Sequence, residues 1–304
     1  MDLYLPVAGL SINLFLVVAV GALVGFLSGL VGVGGGFLLT PILMMIGVPP
    51  TLAAASGTCA LVGTSSSATA VHFRLGNVDL RLGSILLLGG LSGAAVGVRV
   101  IKLLREMGNA DFTITVTYVV VLGSVGSFMF LESLQSLRSG MMTHKPSNPV
   151  RQGSLLGKLP LQMNFPRSNV THSVFVPFAL CAVVGVLAAV MGVGGGFIMV
   201  PMMVYLLRMP MHVAVGTDLF QILFTCAGVT LMQAITNHTV DVVLALMVAL
   251  GSTIGAQAGA RMGRLLRGDQ LRIVLASIVL ITTVKMSVGL FIRPANLLSE
   301  LTGN

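Results

Sequence analysis

The sequence predicts an all-α integral membrane protein of two four-span repeats, each with a glycine-broken short or re-entrant helix, about eight full transmembrane helices in all. Three observations carry that reading. The chain is 55% hydrophobic and only 9% charged, with a mean hydropathy of +1.00, whereas a soluble domain is roughly 25% charged. Several stretches run to about 20 apolar residues, the length a helix needs to cross ~30 Å of hydrocarbon. The string Gly32-Val33-Gly34-Gly35-Gly36-Phe37 returns as Gly192-Val193-Gly194-Gly195-Gly196-Phe197, followed by Pro41 and Pro201 at the same distance.

Apolar spans are expected at 11–31, 51–72, 81–104 and 112–134, and again at 172–191, 212–236, 241–265 and 270–292. The first lacks a preceding basic segment and a cleavage site leading into polar sequence, so it reads as a span rather than a signal peptide. Short apolar pieces at 36–47 and 196–208 are too brief to cross alone and read as half-helices or re-entrant segments. The chain thus divides into a first repeat (1–134), a polar connector (135–171) and a second repeat (172–304).

Landmarks in the same order tie the halves together. Gly32 returns as Gly192 at an interval of 160, and Val78-Asp79 returns as Val240-Asp241 at 162. Gly93-Ala94-Ala95-Val96-Gly97-Val98-Arg99 corresponds to Gly255-Ala256-Gln257-Ala258-Gly259-Ala260-Arg261, again at 162. Duplication of this kind is common in secondary transporters, whose substrate site lies between the repeats near the bilayer midplane. The connector holds Pro146, Pro149, Pro160 and Pro166 with Arg138, Lys145, Arg151, Lys158 and Arg167. It reads as a solvated linker, with an extended piece where Leu159, Leu161, Met163 and Phe165 alternate.

The formal charge of +8 would suggest nucleic acid in a soluble protein. Here the basic residues cluster at the ends of apolar segments, where they set orientation. Arg99/Lys102/Arg105 and Arg261/Arg264/Arg267/Arg272 each follow the third span of a half. Placing both clusters in the cytoplasm makes the repeats parallel, with both termini outside, but leaves the basic connector outside too. A ten-crossing inverted repeat stays open. Cys59, Cys181 and Cys226 lie in apolar stretches without CxxC spacing and read as small apolar residues, with no disulfide or metal role.

Glycine costs a helix roughly 1 kcal/mol relative to alanine, and three in a row cover every helix face, which packing against one neighbour does not require. Gly34, Gly35, Gly36, Gly194, Gly195 and Gly196 are therefore read as helix breaks. The helix after each break begins with free N–H groups and the positive end of its dipole, a setting suited to an anion. They are not a dinucleotide fingerprint, because phenylalanine stands where the third glycine belongs. Gly93/Gly97 and Gly255/Gly259 instead read as close helix packing.

Polar patches follow each short piece: Ser56, Thr58, Thr64, Ser65, Ser66, Ser67 and Thr69, then Thr217, Asp218, Gln221, Thr225 and Gln233. Ser56, Thr58, Thr217 and Gln221, close to the glycine breaks, are candidate substrate-binding residues. Ser67 and Thr69 are expected to bond between helices. Asp218 and Lys285, ionisable within apolar stretches, are coupling or gating candidates. Asp218 reads equally as a proton carrier or a helix cap, and Lys285 as a gate or a side chain snorkelling to the surface. The five histidines lie at span edges or in the connector region, in no metal-like spacing.

Together, the twin Gly-Val-Gly-Gly-Gly-Phe strings, Ala214-Val215-Gly216-Thr217, the run His72-Phe73-Arg74-Leu75-Gly76-Asn77-Val78-Asp79 and the paired Gly-Ala-x-x-Gly-x-Arg stretches make the chain resemble the sulfite exporter TauE/SafE family. The resemblance covers nearly everything but the connector. It implies a multi-pass secondary transporter of the bacterial cytoplasmic (inner) membrane that exports small sulfur-containing anions, sulfite or organosulfonates, by alternating access. Two departures stand out: Asp218 where the family usually has serine, and Ala54-Ala55-Ser56-Gly57-Thr58 where Ala-Val-Ala-Thr-Ser is common. Expected partners are a small anion and the lipid bilayer, without nucleic acid or cofactor; a homo-oligomer is left open. The alternatives are a carrier of an unrelated small carboxylate, or an intramembrane serine protease-like enzyme built on Gly90-Leu91-Ser92-Gly93. The enzyme reading lacks a histidine at matching depth.

Overall fold

The computed structural model of the chain describes residues 2–5, 10–31, 36–138, 162–165, 170–263 and 268–292. The first half contains β1 (Asp2–Leu5), β2 (Leu10–Asn13), α1 (Leu14–Val31), α2 (Gly36–Ile46), α3 (Pro50–Arg74), α4 (Leu80–Glu106) and α5 (Ala110–Arg138). The second contains β3 (Gln162–Phe165), β4 (Val170–Ser173), α6 (Phe175–Met191), α7 (Gly196–Tyr205), α8 (Met211–Thr236), α9 (Val242–Gly263) and α10 (Gly268–Ile292).

A helix stands at each expected span and at each short piece, and four of the eight expected full spans meet, over the described residues, the length and apolarity needed to cross. Over the described residues, α4, α5, α8 and α9 are long and apolar enough to cross a membrane. With 18 and 17 residues, α1 and α6 reach about 27 and 26 Å at 1.5 Å per residue, and α6 ends at the left-handed Gly192. In α3 there are 25 residues, but the run Thr64-Ser65-Ser66-Ser67 dilutes its apolar character.

Two antiparallel hairpins also depart from the all-α expectation. β1 pairs with β2 from Asp2↔Asn13 to Leu5↔Leu10, and β3 with β4 from Gln162↔Ser173 to Phe165↔Val170. Both spans expected to begin at 11 and 172 therefore start as strand and turn helical a few residues later. Asn13 Oδ1 accepts the Phe15 N–H at 3.0 Å, an N-cap that starts α1 at Leu14. Of the predicted extended piece, Met163 and Phe165 belong to β3, and Leu159 and Leu161 lie outside the described residues.

Helix directions follow from close approaches of glycines. Gly21, Gly25 and Gly29 of α1 face Val248, Ser252 and Ala256 in turn, so α1 runs parallel to α9. Gly89, Gly93 and Gly97 of α4 face Phe178, Ala182 and Val186, so α4 runs parallel to α6. At each crossing a Cβ would overlap backbone of the facing helix, the small-residue contact by which helices approach in lipid. In α5, Gly123 and Gly126 meet Thr283 and Val279, which makes α5 and α10 antiparallel.

The loops entering α4 and α9 fix the remaining directions. Asp79 and Asp241 each precede a helix, and their Oδ1 atoms accept the N–H groups of Arg81 and Leu82, and of Val243 and Leu244, at 3.1–3.2 Å. Both aspartates thereby occupy the first-turn donors that a helix leaves unpaired. Their own N–H groups donate across the molecule at 3.0 Å, Asp79 to Thr217 Oγ1 and Asp241 to Ser56 Oγ. The start of α8 thus lies by the end of α3, and the start of α3 by the end of α8, so the two are antiparallel. It follows that α4 and α9 are antiparallel as well, and so are α1 and α6.

This overturns the orientation that put both basic clusters on one side. Arg99, Lys102 and Arg105, near the end of α4, and Arg261, near the end of α9, lie at opposite ends of the molecule. The opposed directions match the inverted arrangement rather than the parallel one. Arg264 and Arg267 lie outside the described residues.

Candidate functional site

The second glycine break is visible throughout. Gly192, Gly194 and Gly195 adopt φ of 72°, 74° and 83°, the left-handed region that only glycine enters freely. The chain doubles back here: Gly195, four residues beyond the end of α6, packs against Val184, two turns back along that helix. From there α7 leads to Pro210 and the start of α8. The Met191 carbonyl, freed where α6 stops, accepts the hydroxyl of Tyr118 from α5, which satisfies a buried acceptor that would otherwise be costly. Sequence reading missed Tyr118, because nothing in its apolar stretch marks a partner 73 residues away.

Gly34 and Gly35 lie outside the described residues; Gly36 is buried and opens α2. It faces the Val193 carbonyl and the side chain of Leu61, and Gly194 also faces Leu61 together with Ile222 and Cys226. The rings of Phe37 and Phe197 stack with centroids 5.5 Å apart at 29°. The start of α2 at Gly36 therefore meets the second break at the crossing of α3 and α8. Gly196 is buried there as the first residue of α7.

The structure separates the candidate polar residues. Ser56 and Thr217 use their hydroxyl oxygens to accept the N–H groups of Asp241 and Asp79. Thr58 donates to the Ala54 and Ala55 carbonyls of its own helix at 2.8 and 2.9 Å. Ser67, expected to bond between helices, likewise donates within α3, to Thr64 at 3.0 Å. Gln221 donates from Nε2 to Thr225 Oγ1 at 2.9 Å, and its Oε1 has no hydrogen-bond partner. Asp218 is buried on the same face of α8, with Oδ1 also unpartnered. The helix-cap alternative for Asp218 fails because Asp218 lies inside α8, not at its start. Lys285 is exposed on α10, as a snorkelling side chain would be, and is not brought to the breaks. The three cysteines are free, and Ser92 donates to the Gly89 carbonyl within α4 at 2.8 Å.

A cavity of about 30 Å³ lies beside Gly36, lined by Ser28, Leu39, Ala60, Thr64, Ser252 and Ala256 among others. By the usual measure a water needs about 10–15 Å³, so one or two would fit. Thr64 belongs to the polar patch seen in the sequence. Ser28 and Ser252 stand in apolar, glycine-containing stretches away from the polar patches, and only the packing of α1 on α9 brings them together.

A family model for the sulfite exporter TauE/SafE matches residues 17–286, a range that takes in both breaks and every helix from α1 to most of α10. The chain belongs to the sulfite exporter TauE/SafE family. Among its relatives, the probable membrane transporter protein YunE of Bacillus subtilis is 27% identical over 274 residues, 88% of this chain and 94% of that one. A probable membrane transporter protein of Methanocaldococcus jannaschii is 24% identical over 281 residues, covering 87% and 91%. Sulfite exporter TauE/SafE family protein 3 of Arabidopsis thaliana is 28% identical over 122 residues, covering 38% of this chain and 26% of that protein. No solved structure matches the chain significantly. As a TauE/SafE member with long apolar helices the protein is a multi-pass membrane transporter, and its relatives are named as transporters rather than enzymes.

Proposed function

We propose that this TauE/SafE member exports small sulfur-containing anions, sulfite or organosulfonates, across the cytoplasmic membrane by alternating access, with the anion held where the two glycine breaks meet. The convergence of Gly36 and Gly194 on Leu61 is the observation that carries this reading. It puts the start of α7, which no side chain caps, next to the start of α2. Two helix N-termini there would offer backbone donors and partial positive charge to an oxyanion without a buried cation. Ser28, Thr64 and Ser252 line the adjoining cavity, and the Thr64 and Ser252 hydroxyls, now bonded to the Leu61 and Ala249 carbonyls, could turn to donate to an anion.

The cavity is too small for an organosulfonate, so binding requires the halves to move apart. The two matched, oppositely directed halves form inverted repeats in this reading, with 135–171 as their connector, and rocking one half against the other would open the site to each side in turn. Net negative charge leaving a cell with a negative interior gains about 2.3 kcal/mol per charge per 100 mV, so the potential drives a dianion outward even with one proton bound, while a monoanion that carries a proton follows its own gradient. The test is flux in proteoliposomes of the purified protein, comparing sulfite, sulfoacetate and taurine with sulfate and acetate. Saturable flux of the sulfur oxyanions is expected; transport of acetate alone, or none above protein-free vesicles, would overturn the proposal.

A further inference from the structure

Asp218 and Gln221 lie one turn apart on the same face of α8, and each is 1% exposed. Asp218 Oδ1 and Gln221 Oε1 both lack a hydrogen-bond partner. The neighbouring groups are thiols: Cys181 Sγ lies with Gln221 Nε2 around Gly90, and Cys226, two turns along α8 from Asp218, lies by Gly194. On the α7 side, Met199 and Met203 pack with Cys181, and on the α4 side Gly90 approaches Gln221. Among the described residues no lysine, arginine or histidine compensates Asp218. An unpaired carboxylate so far from water is costly. A proton on it turns an acceptor into a donor, and Gln221 Oε1 is an acceptor in need of one.

The first half lacks this pair. Counting from Ser56 and Thr217, whose hydroxyls make matching bonds, Asp218 corresponds to Gly57, Gln221 to Ala60 and Thr225 to Thr64. In the first half Ala60, Thr64 and Ser252 border the open cavity. In the second, the side chain of Gln221 reaches toward Gly90, the residue 162 before Ser252, and takes up the matching space.

We propose that Asp218 and Gln221 form a proton site in the second half, and that a proton bound there travels with the anion. The same face of α8 carries Ile222 and Cys226, against which Gly194 of the break packs. An ionised Asp218 would repel an anion held at that break, and a protonated one would not. Each ligand therefore favours the other by the same factor, as linkage requires. The coupling rests on the transport reading above; the proton site does not.

Infrared spectroscopy of the purified protein without added anion tests the site directly. At neutral pH a protonated-carboxyl band is expected that moves on [4-13C]aspartate labelling, disappears in Asp218→Asn, and shifts to higher frequency in Gln221→Leu, where its acceptor is lost. The labelling assigns the band to aspartate even if a variant fails to fold, and absence of a label-sensitive band overturns the site. In proteoliposomes, an internal pH dye should report proton movement with a sulfonate that does not itself titrate near neutrality. Sulfonate flux without protons overturns the coupling. Absence of any anion flux counts against the transport reading, while the infrared band still decides the proton site.

Discussion

At the scale of single residues, hydroxyl groups of the same kind carry different loads. Thr217 accepts the N–H of Asp79, which enters α4, so Thr217→Val leaves a buried donor unpaired at a cost of about 1–3 kcal/mol. Thr58 only adds a bond to carbonyls that its helix already uses, so Thr58→Val should cost about 0.6 kcal/mol or less, well under Thr217→Val. Unfolding midpoints of the two purified variants in detergent check the contrast, and equal losses would refute it. Tyr118→Phe is expected to behave like Thr217→Val, because it leaves the Met191 carbonyl at the end of α6 without its donor; an unchanged midpoint would show that water replaces the hydroxyl. Gly57 and Asp218 look unrelated in the sequence until Ser56 and Thr217 are seen to make the same bond.

At the scale of elements, glycine spacing decides which helices can touch. A Cβ at Gly93 would overlap the backbone of Ala182, whereas one at Gly63 would meet only the Ala249 Cβ at 3.4 Å. Gly93→Ala should therefore push α4 from α6 and cost about 1–3 kcal/mol. Gly63→Ala should be neutral or slightly stabilising, since alanine favours helix by up to about 1 kcal/mol. Thermal unfolding of both variants separates these outcomes, and a stable Gly93→Ala would mean that the helices shift freely. Apolar length and the glycine runs made the helices and both short pieces legible in the sequence, because each reflects a local cost in lipid. The hairpins were not legible: β2 and β4 are four-residue segments directly before long apolar helices, and only pairing with β1 and β3 distinguishes them from the start of a span. The same limit applies to the site. The sequence pointed to residues near the breaks, but which hydroxyls serve α4 and α9 and which line a cavity depends on contacts between halves.

At the scale of the whole molecule, the outward faces are apolar, with Phe15, Leu88, Phe128, Leu231 and Ile254 exposed, as a surface facing lipid requires. Helix direction puts the basic ends of α4 and α9 on opposite sides, so positive charge at both cannot mark a single cytoplasmic side. The guanidinium of Arg105 is drawn inward to the Asn237 carbonyl, so it holds the end of α4 against the end of α8 and is a poor marker of the cytoplasmic side. With α4 and α9 opposed, Met107, just beyond α4, and Arg261, near the end of α9, face opposite sides of the membrane. Both are exposed. Met107→Cys and Arg261→Cys, each in a background where Cys59, Cys181 and Cys226 are replaced by serine or alanine, should react with a membrane-impermeant maleimide from opposite sides, one in intact cells and the other only in inverted vesicles. Labelling of both from one side would restore the parallel arrangement and remove the exchange of conformations between inverted halves as the way the meeting point of the breaks opens to each side in turn.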